Sequence, residues 1–165
     1  MAYDYNLFLD SLKSTLVSNA TSLYASLTVN YPTITTDNIQ IGDPKNLARS
    51  ADRYPFIVIN YKSKEEEFTQ LGVSNSGIAR DIVNNLDIHA FIQVGSDSQD
   101  SDVQSRTLAR NLETVLRANY TKAGSDGWDT ALVDTAIFDN AYEEGNNTYV
   151  SSARLECSFK KYSIT

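Results

Sequence analysis

Apolar residues recur at steps of three and four over the first part of the chain, from Tyr5 to Leu27, with no proline or glycine between them. This spacing is typical of one face of an amphipathic helix. Asp4 precedes the pattern and is suited to accept hydrogen bonds from the first free amides of a helix. The pattern therefore predicts one helix of about six turns at 3.6 residues per turn. Its apolar face comprises Tyr5, Leu9, Leu12, Leu16, Ala20, Leu23 and Leu27.

The middle of the chain contains two extended segments, FIVINYKSKEEEFTQ from Phe56 and IARDIVNNLDIHAFIQV from Ile78. Their apolar and β-branched residues predict strands, and the glycine-containing turn between them favours a long hairpin. We expect the tip of this hairpin, residues 63–77, to project beyond the core. The preceding residues, 28–54, are rich in turn formers and predict a long loop that carries binding surface, with NIQIG as a short strand inside it.

The second half of the chain predicts a second helix followed by two strands. Residues 101–120 repeat apolar positions at helical spacing, and Ser101 with Gln104 matches a capping box. The segment that follows alternates on both sides of the turn EEGNN, residues 143–147, which predicts two antiparallel strands. The face that the helix residues share comprises Leu108, Leu112, Val115, Leu116 and Asn119.

The order of these elements indicates the fold class. Consecutive strands joined by short turns favour antiparallel pairing, and amphipathic helices cover a sheet on one face. The length of 165 residues is sufficient for one domain with its own core. We therefore predict a single α+β domain over residues 1–165. Its antiparallel sheet has four to five strands, with the long N-terminal helix and the second helix packed on one face.

Charge and cysteine content argue against several classes of protein. The formal net charge is −7 and no run of lysine or arginine exceeds two residues, whereas stable nucleic-acid binding needs clustered cations. The single cysteine excludes an intramolecular disulfide and a cysteine-based zinc site. No apolar run approaches the ~20 residues that span a bilayer, and the N-terminus lacks the basic region of a signal peptide. We expect a cytoplasmic protein with no membrane segment and no cofactor.

The only histidine, His89, lies just before an acidic loop and is the strongest candidate for chemistry. Strand alternation puts His89 and Cys157 on opposite faces of the sheet, which argues against a nucleophilic pair. The loop acids Asp97, Asp100 and Asp102 lack the glycine and glutamate positions of an EF-hand. Acids before a helix are stabilised by the helix dipole. We therefore expect neither a metal site nor a catalytic residue in this stretch.

The order of elements resembles the tail-terminator and tail-completion proteins of long-tailed bacteriophages. The likeness begins with the N-terminal helix, the strand RYPFIVINYKSKEEEFTQ and the segment IARDIVNNLDIHAFIQV. It continues through an acidic turn into the helix SDVQSRTLARNLETVLRANY. The Trp-bearing loop GSDGWD and the closing strands AIFDNAYEEGNNTYVSSARLECSF complete it, so that the likeness covers nearly the whole chain.

The resemblance implies a structural protein of the virion with no enzymatic activity, a small α+β subunit of a hexameric ring. In this family the ring caps the tail tube, stops tube growth and joins the tube to the neck below the portal. DNA passes through the centre without specific binding. The candidate contact residues in such a ring are Arg49 and Arg53 for ion pairs between subunits, and Glu65, Glu66, Glu67 and Phe68 at the hairpin tip.

The sequence is compatible with two alternative functions. A head–tail connector or tail-tube subunit would belong to the same assembly, although a tube subunit polymerises into long stacks. A small monomeric ligand-binding domain or enzyme would belong to a different class. Its pocket would use Asp87, His89 and the neighbouring acidic loop.

Overall fold

Five strands and three helices make up the part of the chain that the structure, a computed structural model, describes. The described residues are 3–27, 38–45, 54–70, 79–94, 98–143 and 148–164. The helices are α1 (Tyr5–Ser18), α2 (Ala20–Leu23) and α3 (Ser98–Ala118). The strands are β1 (Ile39–Ile41), β2 (Phe56–Gln70), β3 (Ala79–Val94), β4 (Thr130–Glu143) and β5 (Tyr149–Ile164).

The strands form one mixed sheet in the order β1-β2-β3-β5-β4. Strand β5 lies between β3 and β4 and is antiparallel to both, and β2 is antiparallel to β3. Strand β1 instead runs parallel to β2, with Ile39 opposite Ile57. The α+β class is therefore confirmed, but the prediction of a purely antiparallel sheet is wrong at this edge. Residues 42–55 are a longer connection than a hairpin turn, which allows the chain to return before it enters β2.

The predicted six-turn helix is wrong at Asn19, where α1 ends and the four-residue helix α2 follows. The Asn19 side-chain amide donates to the Thr15 carbonyl at 2.8 Å. That carbonyl is the one to which the Asn19 backbone amide would donate in a continuous helix. The backbone amide donates to Leu16 instead, at 3.1 Å. Asparagine thus interrupts the helix by competing for its own backbone acceptor.

Helices α1 and α3 pack on the same face of the sheet, which we call the helix face. One row across the four long strands, Ile59, Ile88, Leu155 and Ala136, lies on this face. In α1 the innermost aromatic residue is Phe8, which is fully buried, whereas Tyr5 of the predicted apolar face is 41% exposed. The main helix residues in this core are Phe8, Leu12, Leu16, Leu23, Leu108, Leu112, Val115 and Leu116.

Helix α3 begins three residues before the predicted start, so the proposed capping box is wrong. Ser101 lies inside the helix, and its hydroxyl donates to the Tyr149 carbonyl at 3.3 Å. Gln104 is buried, and its side-chain amide donates to the Asp100 carboxylate at 3.5 Å. None of the described helices combines the length and the apolar character needed to cross a bilayer.

Trp128 closes the end of the core where α3 stops. Its indole is 1% exposed and makes edge contacts with Phe8 and Phe159, with ring centroids 6.0 and 5.1 Å apart. The indole N–H donates to the Asn119 carbonyl at 2.9 Å. Carbonyls at the end of a helix lack partners inside the helix, so this bond satisfies one of them.

A close backbone approach holds the Trp128 loop in place. Lys122 and Trp128 form an isolated β-bridge, and the Lys122 ammonium donates to the Ser11 carbonyl and the Thr15 hydroxyl, both at 3.1 Å. A Cβ atom on Gly127 would lie 1.9 Å from the Lys122 carbonyl oxygen. Only glycine therefore fits at position 127. The bonds of Lys122 attach the loop directly to α1.

Candidate interaction surface

The histidine and the cysteine lie on opposite faces of the sheet, as the strand alternation predicts. Cys157 pairs with Leu86 in the β3–β5 register, whereas His89 pairs with Arg154. The Cys157 side chain is buried in the core on the helix face, and burial raises the pKa of its thiol. A thiol with a raised pKa is a poor nucleophile. The imidazole lies on the other face, which we call the second face, and the two groups do not form a nucleophilic pair.

His89 is half-buried beside an aromatic cluster on the second face. Its ring stacks on Phe91, with centroids 6.2 Å apart, and Phe91 in turn stacks on Phe56 at 4.6 Å. Desolvation by burial is the main cause that lowers the pKa of His89, and the charges of Arg154 and Lys62 lower it further. The imidazole is therefore neutral at pH 7. Its Nε2 atom is buried and has no hydrogen-bond partner among the described residues.

The lowered pKa of His89 predicts a specific loss of stability in acid. The unfolded chain, whose histidine has its ordinary pKa of about 6.5, binds a proton before the folded chain does. Stability should therefore fall as the pH drops below about 6.5, with a His89 contribution of at most about 1.4 kcal/mol per pH unit. Chemical denaturation between about pH 7.5 and about pH 5.5 should give a shallower pH dependence for His89→Gln than for the wild type. The same pH dependence of stability in both proteins would contradict the contribution of His89.

Three acidic residues of the second face, Asp87, Glu67 and Asp81, are paired with cations of the same chain. Asp87 is buried and lies 3.4 Å from the Lys62 ammonium. Glu67 and Asp81 face each other directly across β2 and β3, and Lys160 from β5 contacts both, at 3.1 and 3.3 Å. Like charges directly opposite in a sheet are destabilising, and the lysine between them offsets that repulsion. In the described ranges no group of three or more potential metal ligands is close enough to hold an ion.

The glutamate run proposed as a contact surface lies in β2, where its three side chains have partners. Glu66 bonds to Lys64 and Arg80, and the hydrogen bond from Lys64 is the main cause that lowers the pKa of Glu66. Glu65 accepts from the Asn85 amide at 3.2 Å, while Glu67 pairs with Lys160 as described above. All three glutamates are exposed. The surface therefore carries both signs of charge.

The other proposed contact residues are placed only in part. The backbone of Phe68 lies in β2 opposite Arg80, after the register shift between Tyr61 and Ser63. Residues 63–70 are paired with β3, and the rest of the proposed hairpin tip, residues 71–77, lies outside the described residues. The same is true of Arg49 and Arg53.

The acidic loop has a structural connection that the sequence did not indicate. Asp97 lies outside the described residues, but Asp102 lies in the first turns of α3. Its carboxylate accepts from the backbone amide of Ala141 at 2.8 Å and from the hydroxyl of Ser151 at 2.7 Å. A β-bulge between Asp139 and Tyr142 disrupts the β4–β5 ladder beside this amide. Asp102 thus holds α3 against the irregular end of β4.

Two apolar side chains on β4 are the feature of the surface that sequence reasoning missed. Leu132 is 60% exposed and Phe138 is 46% exposed, although both belong to a long strand. Strand β4 bonds to β5 on one side and is the last strand of the described sheet. The apolar composition of ALVDTAIF indicates a strand but not its place in the sheet. The order of strands, rather than the local pattern, leaves these residues exposed.

The sequence was compared with protein-family models and with curated proteins. Neither comparison found a match.

Proposed function

We propose that this chain is a structural protein of a bacteriophage virion, a tail terminator that forms a hexameric ring. The order of its elements carries the proposal. A long N-terminal helical segment, a long hairpin, a second helix, a tryptophan loop and a closing pair of strands follow each other as in that family. Assembly would occur in the host cytoplasm, and the mature location would be the junction of tail and neck.

The chemistry of the described residues supports a role in assembly rather than in catalysis. His89 and Cys157 are separated by the sheet, and Asp87 beside the histidine is paired with Lys62. The acidic residues that make the closest contacts therefore form ion pairs and hydrogen bonds inside the fold of this chain. The net charge of −7 also suits a channel that DNA crosses without being held, because like charges repel.

In the proposed ring each subunit presents one surface to the neighbour on its left and a different surface to the neighbour on its right. Such heterologous contacts close into a ring when the rotation between subunits is a whole fraction of a turn. One end of the ring would bind the last layer of the tail-tube protein, and the other end would bind the neck or connector proteins. The tube stops growing because the exposed end of the ring no longer offers the surface of a tube subunit.

The proposal is tested by native mass spectrometry and negative-stain electron microscopy of the purified protein. We expect closed rings of six copies, one or two layers thick. Long stacks of rings would instead assign the chain to the tail tube. A species that remains a single chain at the highest soluble concentration would overturn the proposal and favour the monomeric class that uses Asp87 and His89.

A further inference from the structure

Among the described residues, the sheet has an unpaired edge on each side. In this part of the chain β4 bonds to β5 alone, and β2 bonds to β3 alone once β1 ends opposite Ile59. In the described part of the chain, the backbone groups that point outwards from residues 60–70 and from most of residues 130–143 thus lack a partner strand. Unpaired edges of this length are templates for pairing with another chain.

Strand β4 lacks the side chains that usually protect an edge. Thr130–Glu143 contains no lysine, arginine or proline, and it exposes Leu132 and Phe138. Two bulges divide the strand, and the segment between them, residues 135–139, keeps a regular register with β5. This short regular segment is therefore the part of the edge that is best suited to accept another strand.

We propose that β4 of one copy of this chain pairs with the free edge of β2 in a second copy. The charged residues of β4 are all acidic, and Asp134 and Asp139 are exposed. The free edge of β2 begins with NYKSK, residues 60–64, whose charged residues are both lysines. Pairing of β4 with another β4 would bring acids against acids, whereas pairing of β4 with β2 brings acids to lysines.

The lysines of β2 retain donors for such a contact. The Lys62 side chain is 52% exposed, and its ion pair with Asp87 is 3.4 Å long. Lys64 bonds to Glu66 within its own strand and also to the Tyr5 side chain. Because an ammonium group has three donors, these two bonds leave one for a neighbour.

The two edges lie on opposite sides of one sheet. Each copy can therefore pair with one neighbour through β4 and with another neighbour through β2. A contact of this kind is heterologous and repeats from copy to copy. The inference rests on the proposed ring and names the contact through which its subunits meet. The exposed Leu132 and Phe138 would then be buried between neighbouring subunits.

The test uses two charge-reversed variants of the full chain. The β4 variant carries Asp134→Lys and Asp139→Lys, so that lysines of β4 meet Lys62 and Lys64 of the next copy. The β2 variant carries Lys62→Glu and Lys64→Glu, so that both of its edges are acidic. For each variant alone we expect the concentration at half assembly to rise about tenfold or more, because like charges meet at every contact. An equimolar mixture should assemble as the wild type does, with the two variants alternating.

Controls separate a failed contact from a failed fold. Asp10→Lys reverses an exposed charge on α1 and should leave assembly unchanged. Lys62→Gln with Lys64→Gln removes the attraction without placing a new acid near Asp87, and should weaken assembly while circular dichroism stays the same. If both reversed variants assemble as the wild type does, the β4–β2 contact is overturned while the ring survives. A wild-type protein that stays a single chain overturns the ring itself.

Discussion

Replacing Trp128 with alanine should lower the free energy of unfolding by about 3–5 kcal/mol. The substitution removes a buried indole that contacts Phe8 and Phe159 at the end of the core. It also leaves the Asn119 carbonyl at the end of α3 without its 2.9 Å hydrogen bond. Urea denaturation followed by circular dichroism measures the loss.

The neighbouring aromatic residue provides a matched control for this prediction. Tyr120 is 59% exposed, and Tyr120→Ala should change the free energy of unfolding by less than about 0.5 kcal/mol. Trp128→Phe should fall between the two, since it keeps part of the ring contact and loses the N–H donor. Equal midpoints for Trp128→Ala and the wild type would show that the indole does not close the core.

Replacing Asp102 with alanine should cost about 2–3 kcal/mol, because two donors lose a charged acceptor together. These donors are the Ala141 amide at the bulge of β4 and the hydroxyl of the fully buried Ser151. Asp102→Asn should recover part of the loss, since an amide oxygen still accepts a hydrogen bond. Denaturation of the three proteins under the same conditions gives the comparison.

Asp100 distinguishes this bond from a general effect of negative charge near the start of α3. Both residues lie in the first turns of the helix, but Asp100 bonds only to Gln104, at 3.5 Å. Asp100→Ala should therefore cost less than about 1 kcal/mol, the size of an interaction with the helix dipole. Similar losses for Asp100→Ala and Asp102→Ala would mean that charge, and not the contact with β4, explains the effect.

Periodicity was sufficient to predict the elements with regular patterns. In β5 the residues Ser151, Ala153, Leu155 and Cys157 all lie buried on the helix face, as alternation requires. In α3 the apolar residues at helical spacing form the buried face. Patterns of this kind report which face of an element is buried, because burial repeats with the geometry of the backbone. These patterns therefore predicted correctly that His89 and Cys157 lie on opposite faces of the sheet.

The predictions that were wrong depend on single contacts rather than on periodicity. The end of α1 depends on whether the Asn19 side chain takes the Thr15 carbonyl, and the apolar spacing continues past that point. The direction of β1 depends on its pairing with residues 57–59 of β2. The structural role of Asp102 depends on a β-bulge almost forty residues later in the sequence. Local patterns do not contain this information.

Register decides which cations the glutamates of the proposed contact surface meet. A shift in register between Tyr61 and Ser63 decides which side chains of β3 and β5 face the glutamates of β2. After this shift Glu67 lies opposite Asp81, and Lys160 of β5 reaches both. In the linear sequence the three glutamates form an uninterrupted acidic run. Their partners come from strands that the run itself does not identify.

The central position of β5 has a consequence for the order in which the protein folds. In the described sheet β4 pairs with β5 alone, while β3 and β5 are separated by more than fifty residues of sequence. Closing so long a loop has an entropic cost that the hairpin of β2 and β3 does not have. The nascent chain should therefore form the β2–β3 hairpin early. Strand β4 should stay unpaired until β5 has also left the ribosome. During that interval the apolar edge of β4 would be a natural substrate for chaperones.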